Sequence, residues 1–350
     1  MKNNLLKSGI SFLLIIFMLG LTACGSNTSQ SSNENTGSNT QTESKASTEQ
    51  AATPENTDIV WPEKTIQITV PYNAGGDTDL YCRTAAKYLE KELGQTIIIV
   101  NTSGASGMTA AHQVMDSKAD GYNIFFRHTA QLITQATGMA DLSYTDDMAL
   151  AGSAIEDSTY TLVVRKDSGF NNLEDLIAYA KANPGKLTYS NVYGSVTHYV
   201  SNRMKETMGI DFKDLDVGSS SSDRTAAFLG GQVDMLVANY ITIKDYIDSD
   251  QFVVLGILSE ERVPALPEVP TMVEQGYDVV SQKIYTFAFP KDTDQAIVDK
   301  FNNALESISQ NQEFIDEVEA FYGMVKFRSN VDIYTLETSL VEDYAKVMGQ

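Results

Sequence analysis

From Asp58 onward the chain alternates short β-rich runs with amphipathic helical patterns, and that order constrains its fold more than any other feature. Strand, helix, strand in succession bury their apolar faces most simply as parallel sheets covered by helices. Residues 65–70 read as a strand that runs into Pro71-Tyr72-Asn73-Ala74-Gly75-Gly76. A helix then starts near Asp77 or Thr78, with Leu80, Ala85, Tyr88, Leu89 and Leu93 on one face and Gly94 as its stop. Residues 97–100 and 122–126 are the next strands, separated by the small residues of 103–107 and a helix. A second set opens with residues 161–164 and continues with strands at 187–190, 215–217, 233–237 and 252–258. After 285–289 the chain turns helical at 296–308, 312–321 and 334–347.

Upstream of this body lie two segments of different character. Lys2 and Lys7 precede an apolar or small stretch over 9–21 that ends in Leu21-Thr22-Ala23-Cys24-Gly25. Residues 1–23 are therefore expected to be a signal peptide, too short for a comfortable membrane span. The ending resembles a bacterial lipobox, which implies acylation of Cys24 and a lipid anchor on the extracytoplasmic face of the cell membrane. Each buried methylene contributes about 0.8 kcal/mol, so two or three chains suffice for stable attachment. Residues 24–57 are Ser, Thr, Asn, Gln, Glu and Ala with almost no large apolar group, the composition of a disordered tether.

Composition excludes several functions. With 25 basic and 46 acidic residues the formal charge is -21, which repels phosphate backbones and argues against nucleic acid as a partner. Removal of a leader carrying Lys2 and Lys7 would leave 23 basic against 46 acidic residues, 23 - 46 = -23. Two cysteines make no disulfide framework, and His112, His128 and His198 show no helical zinc spacing, so no metal or other cofactor is expected. Asp116, Asp120, Asp141, Asp146 and Asp147 lack the spacing of a calcium loop and read as solvated surface. A Gly-x-Ser-x-Gly elbow and an evident Ser-His-Asp constellation are both missing, which argues against an enzyme.

Ligands on open α/β sheets bind beyond the C-terminal ends of the strands. Here those ends carry Gly75-Gly76, Ser106 within a glycine-rich loop, His128-Thr129, Gly194-Ser195 and the serine run 219–222. Small and hydroxylated residues at each of them suit a small anion held mostly by main-chain donors.

The motifs Val70-Pro71-Tyr72-Asn73-Ala74-Gly75-Gly76-Asp77-Thr78-Asp79, Asn101-Thr102-Ser103-Gly104-Ala105-Ser106-Gly107, Asp120-Gly121-Tyr122, Pro184-Gly185-Lys186-Leu187-Thr188-Tyr189, Gly194-Ser195-Val196-Thr197-His198, Leu229-Gly230-Gly231-Gln232-Val233-Asp234 and Pro264-Ala265-Leu266-Pro267-Glu268-Val269-Pro270-Thr271 occur in that order. Together they resemble the extracytoplasmic solute receptors of tripartite tricarboxylate transporters, the TctC or Bug family. The resemblance implies a two-lobed, periplasmic-binding-protein-like Venus flytrap of type II, with a mainly parallel sheet in each lobe and crossing strands at the hinge. Lobe 1 is expected over 58–160 and 286–350, and lobe 2 over 161–285. The resemblance further implies a small carboxylate ligand in the interlobe cleft, membrane permease subunits as partners, and no catalysis. Use of the same fold in sensing is one alternative, and an extracytoplasmic enzyme on this scaffold is a second, against which the missing catalytic motifs weigh.

The ligand-binding residues expected on these grounds are Tyr72, Gly75, Gly76, Thr78, Asp79, Ser106, Arg127, His128, Thr129, Asn191, Gly194, Ser195, Thr197, His198 and Ser219. For several the residues support two roles. Asp79 either shapes its loop from the first helical turn or contacts ligand. Arg127 either forms a salt bridge or clasps a carboxylate bidentately. His128 and His198 are satisfied structural histidines or ligand contacts, and Ser195 and Thr197 are caps or anion donors. Where relatives commonly read Tyr-Lys-Gly-Gly, this chain has Ser219-Ser220-Ser221-Ser222, which removes an aromatic and a cation from the cleft rim.

Overall fold

The computed structural model describes residues 59–218 and 221–349. The expected leader, Cys24, the tether and Ser219 lie outside the described residues.

The first lobe is built from β1 (Ile66–Val70), α1 (Asp77–Leu93), β2 (Ile97–Asn101), α2 (Met108–Met115), β3 (Asn123–His128), α3 (Ala130–Ala136) and β4 (Met148–Asp157). The chain then crosses into the second lobe. That lobe contains β5 (Tyr160–Arg165), α4 (Leu173–Ala182), β6 (Thr188–Asn191), α5 (Val196–Met208), β7 (Lys213–Asp216), α6 (Ser221–Leu229), β8 (Met235–Asn239), α7 (Tyr240–Asp248) and β9 (Phe252–Ile257). It returns through β10 (Lys283–Pro290) to add α8 (Gln295–Ser309), α9 (Gln312–Glu319), β11 (Met324–Arg328) and α10 (Asn330–Met348) to the first lobe. The six-stranded sheet runs β11-β4-β10-β3-β1-β2, and the five-stranded sheet runs β7-β6-β8-β5-β9.

Two α/β sheets were expected, but each is mixed rather than mainly parallel. β1 is parallel to β2 and β3, whereas β10 is antiparallel to β3 and β4, and β11 to β4. In the second sheet β6 is parallel to β7 and β8, whereas β5 is antiparallel to β8 and β9. The reason is the crossing itself. β5 enters the second lobe and β10 re-enters the first, so both start at the hinge and run away from it. Their neighbours β3 and β8 run toward it and end there at His128 and Asn239, opposite Tyr285 and Tyr160. The carboxyl ends of β1, β3, β6 and β8 therefore converge on the interlobe region, where loops can meet a ligand.

β4 and β11 escape the sequence pattern. Met148–Asp157 reads MALAGSAIED, with alanines and a glycine of low strand propensity. It is a strand because β10 pairs with it along its whole length and β11 covers its other edge.

The first lobe's core places Phe126, Tyr285, Phe287, Phe289 and Phe301 against Leu89 and Val70. A second cluster runs from Phe125 and Leu132 to Val200 and Tyr344, so apolar packing spans both lobes. α10 carries part of it: the Tyr344 and Tyr199 rings lie 4.7 Å apart edge to face, and Tyr199 donates to Asp343 at 2.7 Å.

Candidate functional site

The loop after β1 is organised around Asp79. Its carboxylate accepts from Gly75 N–H at 2.9 Å, Asn101 Nδ2 at 3.0 Å and Arg83 Nε at 3.0 Å. Asn101 also donates to the Tyr72 carbonyl at 3.0 Å. Burial works to raise the Asp79 carboxyl, and the bonds from Arg83, Gly75 and Asn101 outweigh it, so its pKa lies below the ordinary value. With its lone pairs engaged and 3% of its surface exposed, Asp79 shapes the loop. Thr78 is buried too, its N–H donating to Asp77 at 2.8 Å.

At the end of β3 the alternation of a strand separates two expected residues. His128 shares the face of Phe126 and meets Tyr72 in a stacked pair, 5.1 Å between centroids and 6° between planes. Its Nδ1 accepts from Ala130 N–H at 3.2 Å, and burial lowers its pKa to about 3. A neutral His128 therefore backs the Tyr72 ring. Arg127 points the other way, over the Tyr144 ring. It is fully buried, and its two Nη atoms donate to the two Glu337 oxygens of α10 at 3.0 and 2.5 Å. Thr286 adds a third bond to that carboxylate at 2.6 Å. The bidentate geometry foreseen for a ligand carboxylate is thus used on Glu337, away from the cleft. Thr129 is likewise committed, donating to the Gln282 carbonyl at 2.6 Å.

In the second lobe, Ser195 caps α5 and accepts from Thr197 N–H at 3.2 Å, while Thr197 Oγ1 accepts from Val192 N–H at 2.9 Å and donates to Asn191 Oδ1 at 3.2 Å. His198 Nδ1 accepts from Gly194 N–H at 3.2 Å, which makes His198 a brace for the turn; partial burial lowers its pKa. Gly194 is at φ +76°, a conformation that favours glycine.

One cavity of about 380 Å³ lies between the lobes, lined from the first by Tyr72, Ser106, Ala130, Gln131, Thr134 and Met139. The second lobe contributes Tyr160, residues 192–197 and Arg224. Of the expected set, Tyr72, Ser106, Gly194, Ser195 and Thr197 are brought together here. Gly75, Gly76, Thr78, Asp79, Arg127, His128, Thr129, Asn191 and His198 do not line it.

Sequence reasoning missed Gln131, Thr134, Met139, Tyr160, Tyr193 and Arg224. Arg224 matters most, being 8% exposed. Its Nη2 donates to Ser221 at 3.3 Å and its Nε has no partner. The available signal was a cation two residues beyond the serine run, on α6, which returns to the cleft the charge that the run removes. The expectation of main-chain anion donors also changes. The N–H groups of Gly75, Thr78, Gly107, Val192, Gly194, Ser195 and Thr197 all bond within the protein.

The hinge is held by a polar chain that is buried except at Asp77, whose side chain is 37% exposed. Lys283, at the start of β10, donates to Asp77 and, at 3.0 Å, to Asn239 Oδ1. Asn239 Nδ2 donates to Asp157 at 2.7 Å, and Asp157 accepts from Thr159 N–H at 2.9 Å and Oγ1 at 2.6 Å. Lys283 also lies 5.2 Å from the Tyr160 ring centroid. Burial opposes both charges of the Asp77–Lys283 pair; their mutual attraction prevails, lowering the Asp77 pKa and, with Tyr160 and Asp157, raising that of Lys283. Burial raises the pKa of Asp157. Among the described residues no cluster of His, Cys, Asp and Glu could hold a metal ion.

The profile of the tripartite tricarboxylate transporter family receptor matches residues 81–337. The chain belongs to that family. A curated relative from Cupriavidus necator, the UPF0065 protein in the gbd 5′ region, is 31% identical over 269 residues, 75% of this chain and 79% of its own. A solved R. palustris protein with adipate superposes with a TM-score of 0.69 at 24% identity, over 83% of this chain and 98% of its own. MatC from Rhodopseudomonas palustris, with bound malate, gives 0.66 at 23% identity, over 82% and 100%. These solved proteins share the two-lobed receptor fold, and the cavity described above lies between the lobes of this receptor.

Proposed function

We propose that the receptor is lipid-anchored through Cys24, closes on a small carboxylate between its lobes and delivers it to the membrane permease of a tripartite tricarboxylate-type transporter. The observation that carries the ligand class is Arg224: a buried guanidinium with a free Nε, set in an interlobe cavity whose other described lining residues are uncharged. A buried cation short of partners is stabilised by an anion, and guanidinium geometry suits a carboxylate. The malate and adipate held by two proteins of the same fold agree with that class. Residues 1–23 as leader and 24–57 as tether would place the body outside the bilayer within reach of a permease.

The test is a thermal-shift screen of the mature chain over carboxylates, neutral sugars and amines, followed by calorimetry on the hits. A ligand that binds only the folded state raises the melting temperature by mass action. Stabilisation by acids alone is expected. A response confined to neutral or cationic compounds would overturn the carboxylate reading. Labelling of the intact cells' chain with a fatty-acid probe, lost in Cys24→Ala, checks the anchor.

A further inference from the structure

The lining of the cleft narrows the ligand further, on the reading that it is a carboxylate. Arg224 is the sole formal charge among the fourteen described lining residues. A ligand with one carboxylate is matched by it. A second carboxylate would be desolvated without a counter-charge, which costs several kcal/mol unless donors replace its water. The loop N–H groups best placed to do so are already bonded to Asp79, His198, Thr197, Ser195 and neighbouring carbonyls.

The walls are of a different kind. Tyr72, Tyr160 and Tyr193 bring three aromatic rings, and Met139, Val192 and Val196 complete an apolar surround. A volume of about 380 Å³ sits in the lower part of the roughly 300–1,000 Å³ range of small-molecule sites. A flat apolar body fills such a space better than a short, fully hydrated diacid.

The two ends differ in polarity. In the second lobe Arg224 Nε is a donor without an acceptor. In the first lobe Gln131, 1% exposed, donates through Nε2 to Tyr72 Oη at 2.5 Å and leaves Oε1 without a partner. Both residues are more than nine-tenths buried, and they line one cavity from opposite lobes. A buried polar atom left unsatisfied costs about 1–3 kcal/mol, which a ligand of complementary polarity recovers.

We propose that the cleft selects an aromatic monocarboxylate bearing a hydroxyl or N–H donor at the end of the ring away from the carboxylate. The carboxylate meets Arg224, the ring lies within the tyrosine-lined waist, and the donor meets Gln131 Oε1, the enclosed Arg224 and Gln131 side chains turning toward the ligand as it binds. Closure brings the two ends together, because each is read by a different lobe.

The experiment is calorimetry at pH 7 on the mature chain with four probes: 4-hydroxybenzoate, benzoate, adipate and malate. The expected order places 4-hydroxybenzoate first, benzoate about tenfold weaker for want of the donor, and both diacids weaker still. Arg224→Gln should weaken both aromatic acids by about tenfold or more, and Gln131→Leu should erase the difference between them. Each variant's unliganded melting curve shows that it folds, and the ranking by the unaltered chain stands without either variant. Malate or adipate binding more tightly than both aromatic acids would overturn this inference while leaving the carboxylate receptor intact. Equal affinity for the two aromatic acids would overturn the role of Gln131. Failure of all four to bind, with a hit among neutral or cationic compounds, would instead overturn the carboxylate reading itself.

Discussion

Two arginines illustrate what one residue's neighbours decide. Arg127 and Arg224 are both buried, and a sequence shows only that each follows a strand or a polar run. The alternation along β3 turns Arg127 toward α10, an element more than 200 residues later in the chain whose Glu337 takes both of its Nη donors. No local pattern announces that partner. Arg127→Met should leave Glu337 buried without its counter-charge and lower the unfolding free energy by about 3–5 kcal/mol. Denaturant titration checks this, and ligand affinity extrapolated to the folded fraction should be unchanged. His128 yields a prediction of pH dependence. Its folded-state pKa of about 3 lies below its ordinary value near 6.5, so between those limits the unfolded chain binds the extra proton. Its contribution to stability is therefore present above about pH 6.5 and is lost as pH falls toward 3, a change on the order of a few kcal/mol. His198 has the same sign, and the raised pKa of Asp157 works in the opposite sense. Urea midpoints between pH 5 and 6.5, above the ordinary carboxylate range, should fall with acidity, and His128→Gln should flatten most of that slope.

At the scale of elements, most helices and strands were legible because their apolar periodicity agrees with their final environment. Ser106, Gly194, Ser195 and Thr197 were legible for a related reason: glycines and hydroxyls at strand ends mark turns and helix starts. β4 was not, because its strand state comes from pairing on both edges and not from its own residues. Gly152 shows how tight that pairing is. It lies at φ +119°, and a Cβ there would come within 2.5 Å of Asn302 Nδ2 and 2.9 Å of the Arg328 carbonyl oxygen. The register of β10 on β4 shifts between Phe287 and Ala288, beside this glycine, as at a β-bulge that bends a strand. Gly152→Ala combines a disfavoured backbone conformation with a clash against main chain, and should destabilise by about 1–3 kcal/mol or more. Thermal unfolding measures it; a change within experimental error would show that β4 can move aside.

The described residues form a pair of lobes whose relation is set at the hinge, and there the polar chain Asp77, Lys283, Asn239 and Asp157 draws on α1, β10, β8 and β4 together. The net charge of the chain gave no hint of this arrangement, nor of a cleft whose described lining residues include Arg224 and no acid. Charge totals describe the surface that solvent sees, whereas binding depends on the few groups removed from it. The Lys283–Asp77 pair is the part of the chain most open to a quantitative test. Lys283→Gln removes the cation that serves the part-exposed Asp77 and lies near the buried Asp157, and should cost about 1–3 kcal/mol. Asp77→Asn alone leaves Lys283 its bond to Asn239 and should cost less. If the pair acts directly, the double variant should be more stable than the sum of the single losses predicts, by an interaction energy of about 0.5–3 kcal/mol. Additive losses in chemical denaturation would mean that Lys283 serves the hinge through Asn239 alone. Because the pair joins the start of α1 to the strand that returns from the second lobe, the same single variants should also weaken ligand binding although neither residue lines the cavity. Affinity restored in the double variant along with stability would tie closure of the cleft to the integrity of this one hinge pair.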